Sequence, residues 1–299
     1  MNMELLKFAA IDIGSNAVRL LLVNVLKNGG KAEFRKSSIV RMPVRLGDAV
    51  FENQLIPDDK VEKLIHTLKA YHHLMEVQDV VSYKACATSA MREADNGVEI
   101  VERIKHETGI SIDIISGDQE ASIIYSNGVA EKIDESKPYL YVDVGGGSTE
   151  ISLFYKNEVI ASRSFKMGTV RMLKNLVKEG VREEMKSWLR SVTEDYQKLE
   201  LIGTGGNINK FFKLARRKEG KPISYYHLME LYDKLEALSY EERIKTVGLN
   251  PDRADVIIPA GEIFLNIMRW TNVKRIFIPK IGLADGMVKQ LYKEYASGK

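Results

Sequence analysis

Two short stretches of this chain carry residue types suited to holding phosphate beside a metal ion. In Tyr139 to Glu150, YLYVDVGGGSTE, alternating apolar residues read as a strand ending at Asp143; Gly145, Gly146 and Gly147 follow, and Ser148, Thr149 and Glu150 open a second strand. Glycines remove the side chains that would keep an anion at a distance, and successive N–H groups form a concave nest for it. A carboxylate on each side, Asp143 and Glu150, can hold a divalent cation directly or through water. Phe8 to Val25, FAAIDIGSNAVRLLLVNV, repeats the order: an apolar strand ending in Asp12, a small-residue turn at Gly14, Ser15 and Asn16, and another apolar strand. Asp12 corresponds to Asp143, and Gly14 to Gly145.

Such a repeat predicts two half-molecules, each bringing one aspartate and one phosphate-holding turn to a shared cleft. The plainer alternative is two unrelated hairpins in which glycine only permits a tight turn. Both copies run on into a hairpin, through Asn28, Gly29 and Gly30 in the first and Asn157 in the second. The length of 299 residues suits two ordinary domains. A single cysteine, Cys86, cannot form an internal bridge, and no apolar run has the length of a membrane span or the form of a cleaved leader, so a cytoplasmic protein that binds no membrane is expected. The net charge of +3, from 44 Lys plus Arg against 41 Asp plus Glu, gives no compositional sign of nucleic-acid binding. The five histidines show no zinc-ligand spacing and read as helix-surface residues.

Along the chain, Asp79 to Cys86 reads as a strand whose C-terminal end carries Thr88, Ser89 and Arg92; there Arg92 can meet an anion or pair with Glu93 or Asp95 at the surface. Ser116 reads as the N-cap of a helix with Asp118 and Glu120 in its first turn, where they stabilise the helix dipole or, in the bridge between halves, look into the cleft. Leu201 to Asn209, LIGTGGNIN, offers a third glycine turn, for an anion or for close strand–helix packing. The basic cluster Lys213, Arg216, Arg217, Lys218 and Lys221 is expected on the following helix, beside that turn, where it could guide a polyanion. A helix is predicted over Ser224 to Glu242, and the domain boundary near residues 125 to 137.

Taken together these stretches resemble the exopolyphosphatase and guanosine pentaphosphate phosphohydrolase (Ppx/GppA) phosphatases of the actin, sugar-kinase and Hsp70-like ATPase superfamily. Asp12 to Leu20 is similar to D-x-G-S-N-x-x-R-L, Ala87 to Asn96 to A-T-x-A-x-R-x-A-x-N, and Ser116 to Ala121 to S-G-x-E-E-A. Asp143 to Glu150 matches D-x-G-G-G-S-x-E, and Arg253 to Pro259 resembles R-A-D-V-I-x-P. The resemblance implies an α/β fold of two duplicated ribonuclease H-like domains, residues 1–125 and 126–299, with an interdomain active-site cleft and a last helix able to pack back on the first domain. It places the catalytic glutamate on Glu120, metal-associated acids on Asp143 and Glu150, and phosphate contacts on Gly145, Gly146, Gly147 and Ser148, with Asn16, Arg19 and Arg92 as partners. Gly14 and Ser15 complete the first turn, and Asp12 stands opposite the metal.

The expected activity is magnesium-dependent, or otherwise divalent-cation-dependent, release of terminal phosphate from inorganic polyphosphate or from pppGpp, with a homodimer compatible with the family. An ATP-using kinase or ATPase of the superfamily and a non-catalytic phosphate or alarmone sensor are the competing classes. Gln119 replaces the first glutamate of the E-E pair, Asn207 a frequent threonine, and Ala284 a usual arginine. With no His-Asp dipeptide and no C-terminal phosphohydrolase domain in the sequence, the short two-domain form is expected.

Overall fold

The structure, a computed structural model, describes residues 4–28, 31–125, 137–156, 158–279 and 281–298. The hairpin turns at Gly29, Gly30 and Asn157, and residues 126–136 of the expected bridge, lie outside the described residues. The chain divides into unit 1, Met1–Val129 with Gly282–Lys299, and unit 2, Ala130–Ile281.

Unit 1 begins with β1 (Glu4–Ile13), β2 (Val18–Asn28), β3 (Lys31–Met42), α1 (Gly47–Asn53) and α2 (Asp58–Val77). It continues through β4 (Ser82–Ala87), α3 (Ser89–Glu93), α4 (Gly97–Thr108), β5 (Asp113–Ile114) and α5 (Gly117–Tyr125). Its sheet has the order β3-β2-β1-β4-β5; β1 is antiparallel to β2 and parallel to β4, and β4 is parallel to β5. One edge of the sheet therefore gathers the C-terminal ends of β1, β4 and β5, with Asp12, Cys86 and Asp113 in register. In such sheets ligands bind beyond those ends.

Unit 2 runs β6 (Tyr139–Val144), β7 (Thr149–Tyr155), β8 (Glu158–Phe165), α6 (Thr169–Leu173), α7 (Val181–Thr193), β9 (Glu200–Thr204) and α8 (Gly206–Leu214). Then come β10 (Ile223–Ser224), α9 (Tyr225–Glu236), α10 (Tyr240–Lys245), α11 (Pro251–Ala254), α12 (Ile257–Trp270) and β11 (Arg275–Phe277). The order β10-β11-β9-β6-β7-β8 contains the unit 1 order with β6, β7, β8, β9 and β11 in place of β1 to β5. The likeness extends to a detail that apolar patterning does not encode. The register of β2 with β3 slips between Leu22 and Val23, and that of β7 with β8 between Leu153 and Phe154, each pair starting ten residues after its aspartate. The duplicated α/β fold is thus present in both halves.

The closing helix α13 (Leu283–Ala296) belongs to unit 1, although its place in the chain put it in the second half. It seats Tyr292 and Tyr295 edge-on against the buried Phe8. A Cβ at Gly286 would lie 2.2 Å from the Ile123 carbonyl oxygen, so only glycine lets α13 cross α5 this closely. The helix predicted over Ser224 to Glu242 is instead two. The Ser239 hydroxyl accepts from Glu242 N while the Glu242 carboxylate accepts from Ser239 N, a reciprocal cap that starts α10 afresh. The core of unit 2 lies between sheet and helices, where Leu140, Val142, Leu201, Phe211, Ile263 and Phe264 are buried.

Candidate active site

In unit 2 the glycine turn is shaped by the chain that crosses it after β8. Thr169 N donates to the Gly145 carbonyl at 3.0 Å, Val170 N to the Gly146 carbonyl at 2.8 Å, and Arg171 Nε to the Gly147 carbonyl at 2.8 Å. Three consecutive carbonyls thus face the start of α6. In a trans peptide the C=O and the following N–H point in opposite directions, and no described peptide is cis. The N–H groups of Gly146, Gly147 and Ser148 are therefore turned away from α6, as an anion nest requires. Gly168 makes this contact possible: a Cβ there would lie 2.5 Å from the Gly146 carbonyl carbon and oxygen.

Asp143 and Glu150 stand directly opposite each other across β6 and β7, on one face of the sheet. Glu150 is buried, and its Oε1 accepts from the Ser148 hydroxyl at 2.5 Å and the Ser164 hydroxyl at 3.0 Å. The third glycine turn closes behind Asp143: a Cβ at Gly205, where φ is +108°, would lie 3.2 Å from Asp143 Oδ1. Arg253 reaches the same turn from α11, donating through Nη1 to the Gly206 carbonyl at 3.1 Å. Gly203, by contrast, serves packing, since a Cβ there would press on Ile276 and Phe264.

Unit 1 repeats the turn. Gly14 N donates to the Ala17 carbonyl at 3.1 Å, as Gly145 N does to the Ser148 carbonyl at 3.0 Å. Here the loop before α1 does what the start of α6 does: Gly47 N donates to the Ser15 carbonyl at 2.8 Å and Arg45 N to the Asn16 carbonyl at 3.0 Å. The Ser15 hydroxyl is buried and shares a 2.8 Å hydrogen bond with the Ser89 hydroxyl, tying the turn to α3. Opposite Asp12 stands Arg19, whose Nη1 lies 3.2 Å from Asp12 Oδ2. Burial raises the Asp12 pKa above its ordinary value, and Arg19 opposes the shift.

Glu120 lies buried in the first turn of α5. Ser116 and Gln119 cap that helix reciprocally: Gln119 N donates to the Ser116 hydroxyl at 3.1 Å, and Ser116 N to Gln119 Oε1 at 2.8 Å. Gln119 thus fills with an amide the capping role open to a glutamate at this position, so its departure from the family pattern leaves the helix start intact. Arg92 places one donor, Nη1, on the Ile115 carbonyl at 2.6 Å, holding the strand end that leads into Glu120. Cys86 lies near both carboxylates: Asp12 and Glu120 each raise its pKa, after burial as the main cause, to about 12. The thiol stays protonated and inert at neutral pH.

The candidate residues fall into two sets. Asp12, Gly14, Ser15, Asn16, Arg19, Arg92 and Glu120 belong to unit 1, whereas Asp143, Gly145, Gly146, Gly147, Ser148 and Glu150 belong to unit 2. Sequence reasoning assigned no role to Arg171, Gly168 or Arg253. Arg253 stood inside a quoted motif and Arg171 inside MGTVRM, but contacts to turns so far away in sequence leave no local signal. The basic cluster expected beside the third glycine turn lies elsewhere. α8 ends at Leu214 and Arg216 takes a left-handed conformation (φ 49°), which sends the cations to the other end of the sheet. Among the described residues no group of three or more His, Cys, Asp or Glu side chains could hold a metal ion. A magnesium site needs fewer protein ligands, because this ion keeps several waters and is often held by one or two carboxylates with substrate phosphates. Two facing carboxylates beside an anion nest fit that chemistry.

A duplicated α/β chain with an acid-flanked glycine turn in each half is the class of protein that fold and site define. Residues 34–294 match the Ppx/GppA phosphatase family, and the chain belongs to it. A bifunctional 3-dehydroquinate synthase/phosphatase of Fusobacterium nucleatum is 30% identical over 88% of this chain, which spans 43% of that relative's length. Exopolyphosphatase 2 of Mycobacterium tuberculosis is 25% identical over 97% of this chain and 99% of its own length. Among solved structures, the Aquifex aeolicus member of the Ppx/GppA family is 27% identical, with a TM-score of 0.75 over 97% of this chain and 99% of its own.

Proposed function

We propose that this protein is a divalent-cation-dependent phosphoanhydride hydrolase that removes terminal phosphate from inorganic polyphosphate, from the 5′ end of pppGpp, or from both. Family membership supports the reaction class, and one observation carries the reading: two facing carboxylates, Asp143 and Glu150, beside three consecutive N–H groups turned away from α6. Asp143 and Glu150 are the residues to hold magnesium, and Asp12 assists from the first turn. When bound, the ion supplies positive charge to the phosphoryl oxygens.

The N–H groups of Gly146, Gly147 and Ser148 hold the phosphoryl oxygens, with Gly14, Ser15, Asn16, Arg19 and Arg92 as the phosphate partners from the first half. Glu120 orients a water and accepts its proton as the oxygen attacks the terminal phosphorus in line. The bond to the bridging oxygen breaks, and its electron pair stays on the shortened chain. The protein works in the cytoplasm, with a homodimer as its assembly. No described helix is long and apolar enough to cross a membrane.

The test is phosphate release with magnesium on long polyphosphate, tripolyphosphate, pppGpp and ATP side by side, together with Glu120→Gln and a chelator control. General-base help is worth roughly 10²- to 10⁴-fold, so Glu120→Gln should lose about that much in kcat while still binding substrate. No release from any of the four substrates overturns the reading. Full activity in Glu120→Gln removes that residue from the mechanism, and full activity after chelation removes the cation.

A further inference from the structure

At the end of the unit 2 sheet away from its glycine turns lies a cavity of about 540 Å³ lined by Arg216, Arg217, Lys218, Lys221, Ser224 and Arg275. Its location follows from strand register. Ile276 of β11 is level with Leu201 of β9, and the two strands are parallel, so Arg275 is level with Glu200, where β9 begins. The glycine turn follows Thr204, where β9 ends, and at about 3.3 Å per residue this separates the two places by roughly 13 Å.

We propose that this cavity is a second anion site, which grips the body of a long inorganic phosphate chain while the chain's terminus is cut elsewhere. Arg275 is already paired, with Glu200 Oε1 at 2.6 Å. Among the described residues Arg216, Arg217, Lys218 and Lys221 make no ion pair; Arg217 only approaches the His227 ring, at 3.5 Å. Four cations in one concavity repel each other, and a concave protein wall focuses their field. The C-terminal dipole of α8 does not account for the set. It attracts a cation within the last turn, which covers Arg216, but Lys221 lies seven residues beyond Leu214 and Arg275 on another strand.

The volume is that of a site for an extended ligand, well above what one phosphate needs. The lining also decides between polyanions. It holds no aromatic side chain on which bases could stack, and stacking platforms are what single-stranded nucleic-acid sites add to their basic grooves. A bare phosphate chain needs only charge.

The consequence for turnover rests on the hydrolase reading; the binding claim stands apart from it. The variant is Arg217→Gln with Lys221→Gln, both at an exposed loop or cavity rim, and the probes are long-chain polyphosphate and tripolyphosphate. Direct titration should show Kd for the long chain rising about ten-fold. The slope of log K against log salt should fall by roughly 0.7 for each cation removed, taking single-stranded nucleic acid as the guide. In hydrolysis, KM for the long chain should rise by the same factor, with kcat and the tripolyphosphate KM unchanged. Unaltered long-chain Kd and salt slope overturn the proposal, as does an equal KM rise for tripolyphosphate. Equally tight capture of single-stranded RNA, lost in the same variant, overturns the choice of an inorganic chain. A wild-type protein that binds long polyphosphate in this way without cleaving it sinks the hydrolase reading and leaves the site standing.

Discussion

Replacing Gly168 by alanine tests whether the crossing chain shapes the phosphate nest. The added methyl would lie 2.5 Å from the Gly146 carbonyl carbon and oxygen and 2.6 Å from the Gly147 carbonyl carbon, against a comfortable separation of about 3.5–4.0 Å. Relief takes about 1 Å of movement, and every opposing atom is backbone. The hydrogen bonds from Thr169 and Val170 to the Gly145 and Gly146 carbonyls tie the two segments together, so the turn must distort or the bonds must stretch. Overpacking of this kind costs about 1–3 kcal/mol. A shift of about 1 Å in groups that position a reacting phosphate costs on the order of 10²-fold in rate.

Thermal unfolding and phosphate-release kinetics on the same preparations read the two effects separately. Gly180→Ala is the control. Its φ of +86° makes alanine strained by about 1–2 kcal/mol, yet no heavy atom lies within 4 Å of the added methyl. It should lose a similar amount of stability and keep its kcat. If Gly168→Ala loses no more kcat than Gly180→Ala at comparable destabilisation, the crossing chain does not set the nest and the reasoning fails.

The remaining predictions concern two buried charges. Arg171→Met removes the donor to the Gly147 carbonyl while filling most of its volume, so kcat should fall about ten-fold or more with KM less affected; an unchanged kcat would show that the guanidinium is structural only. Asp12→Asn should unfold at a higher temperature than wild type at neutral pH while losing activity. The Asp12 pKa is raised above 3.8 by burial, so below that pH the acid is protonated whether folded or not, and the two proteins differ least. As pH rises from there through the folded-state pKa, only the wild type loses stability, and the gap in Tm should widen across that window; a flat or inverted gap, measured from acidic to neutral pH, would contradict it.

What could be read from the residues alone was local and repeated. Asp12 with Gly14 and Asp143 with Gly145 show the duplication because an acid, a glycine and a flanking apolar run recur at fixed offsets. The structure adds matching register slips after Leu22 and Leu153, which no side-chain pattern announces. Ser116 could be recognised as a cap, and Gln119 proves to be its partner. Gly168 and Arg171 could not be connected with the turn at Gly145 to Ser148, because their role arises only when β8 brings the chain back across it. The basic cluster misled because helix continuation past Leu214 was assumed, and one left-handed residue, Arg216, ends it. The fate of α13 was equally hidden, since position in the chain says nothing about which sheet a terminal helix will cover.

The duplication also explains why a cation belongs with the second turn more than with the first. Asp12 to Arg19 and Asp143 to Glu150 span the same seven residues, and each pair stands face to face on adjacent antiparallel strands. Backbone geometry has been kept while charge has diverged. In unit 1 the partner is a guanidinium, so the aspartate meets its counter-charge inside the fold. In unit 2 the partner is a second carboxylate, and like charges directly opposite in a sheet repel by an amount of order 0.2–1 kcal/mol. Hydroxyls from Ser148 and Ser164 offset part of this at Glu150 Oε1. A divalent cation would offset the rest, and it would do so next to the N–H groups that hold the phosphoryl oxygens. Had both halves kept the acid–guanidinium pair, the glycine turns could still have bound phosphate, but neither would have offered a paired-carboxylate site for a metal. The acid–acid pair lowers stability in the free protein and supplies binding where the chemistry needs positive charge, which is the trade expected of a functional site.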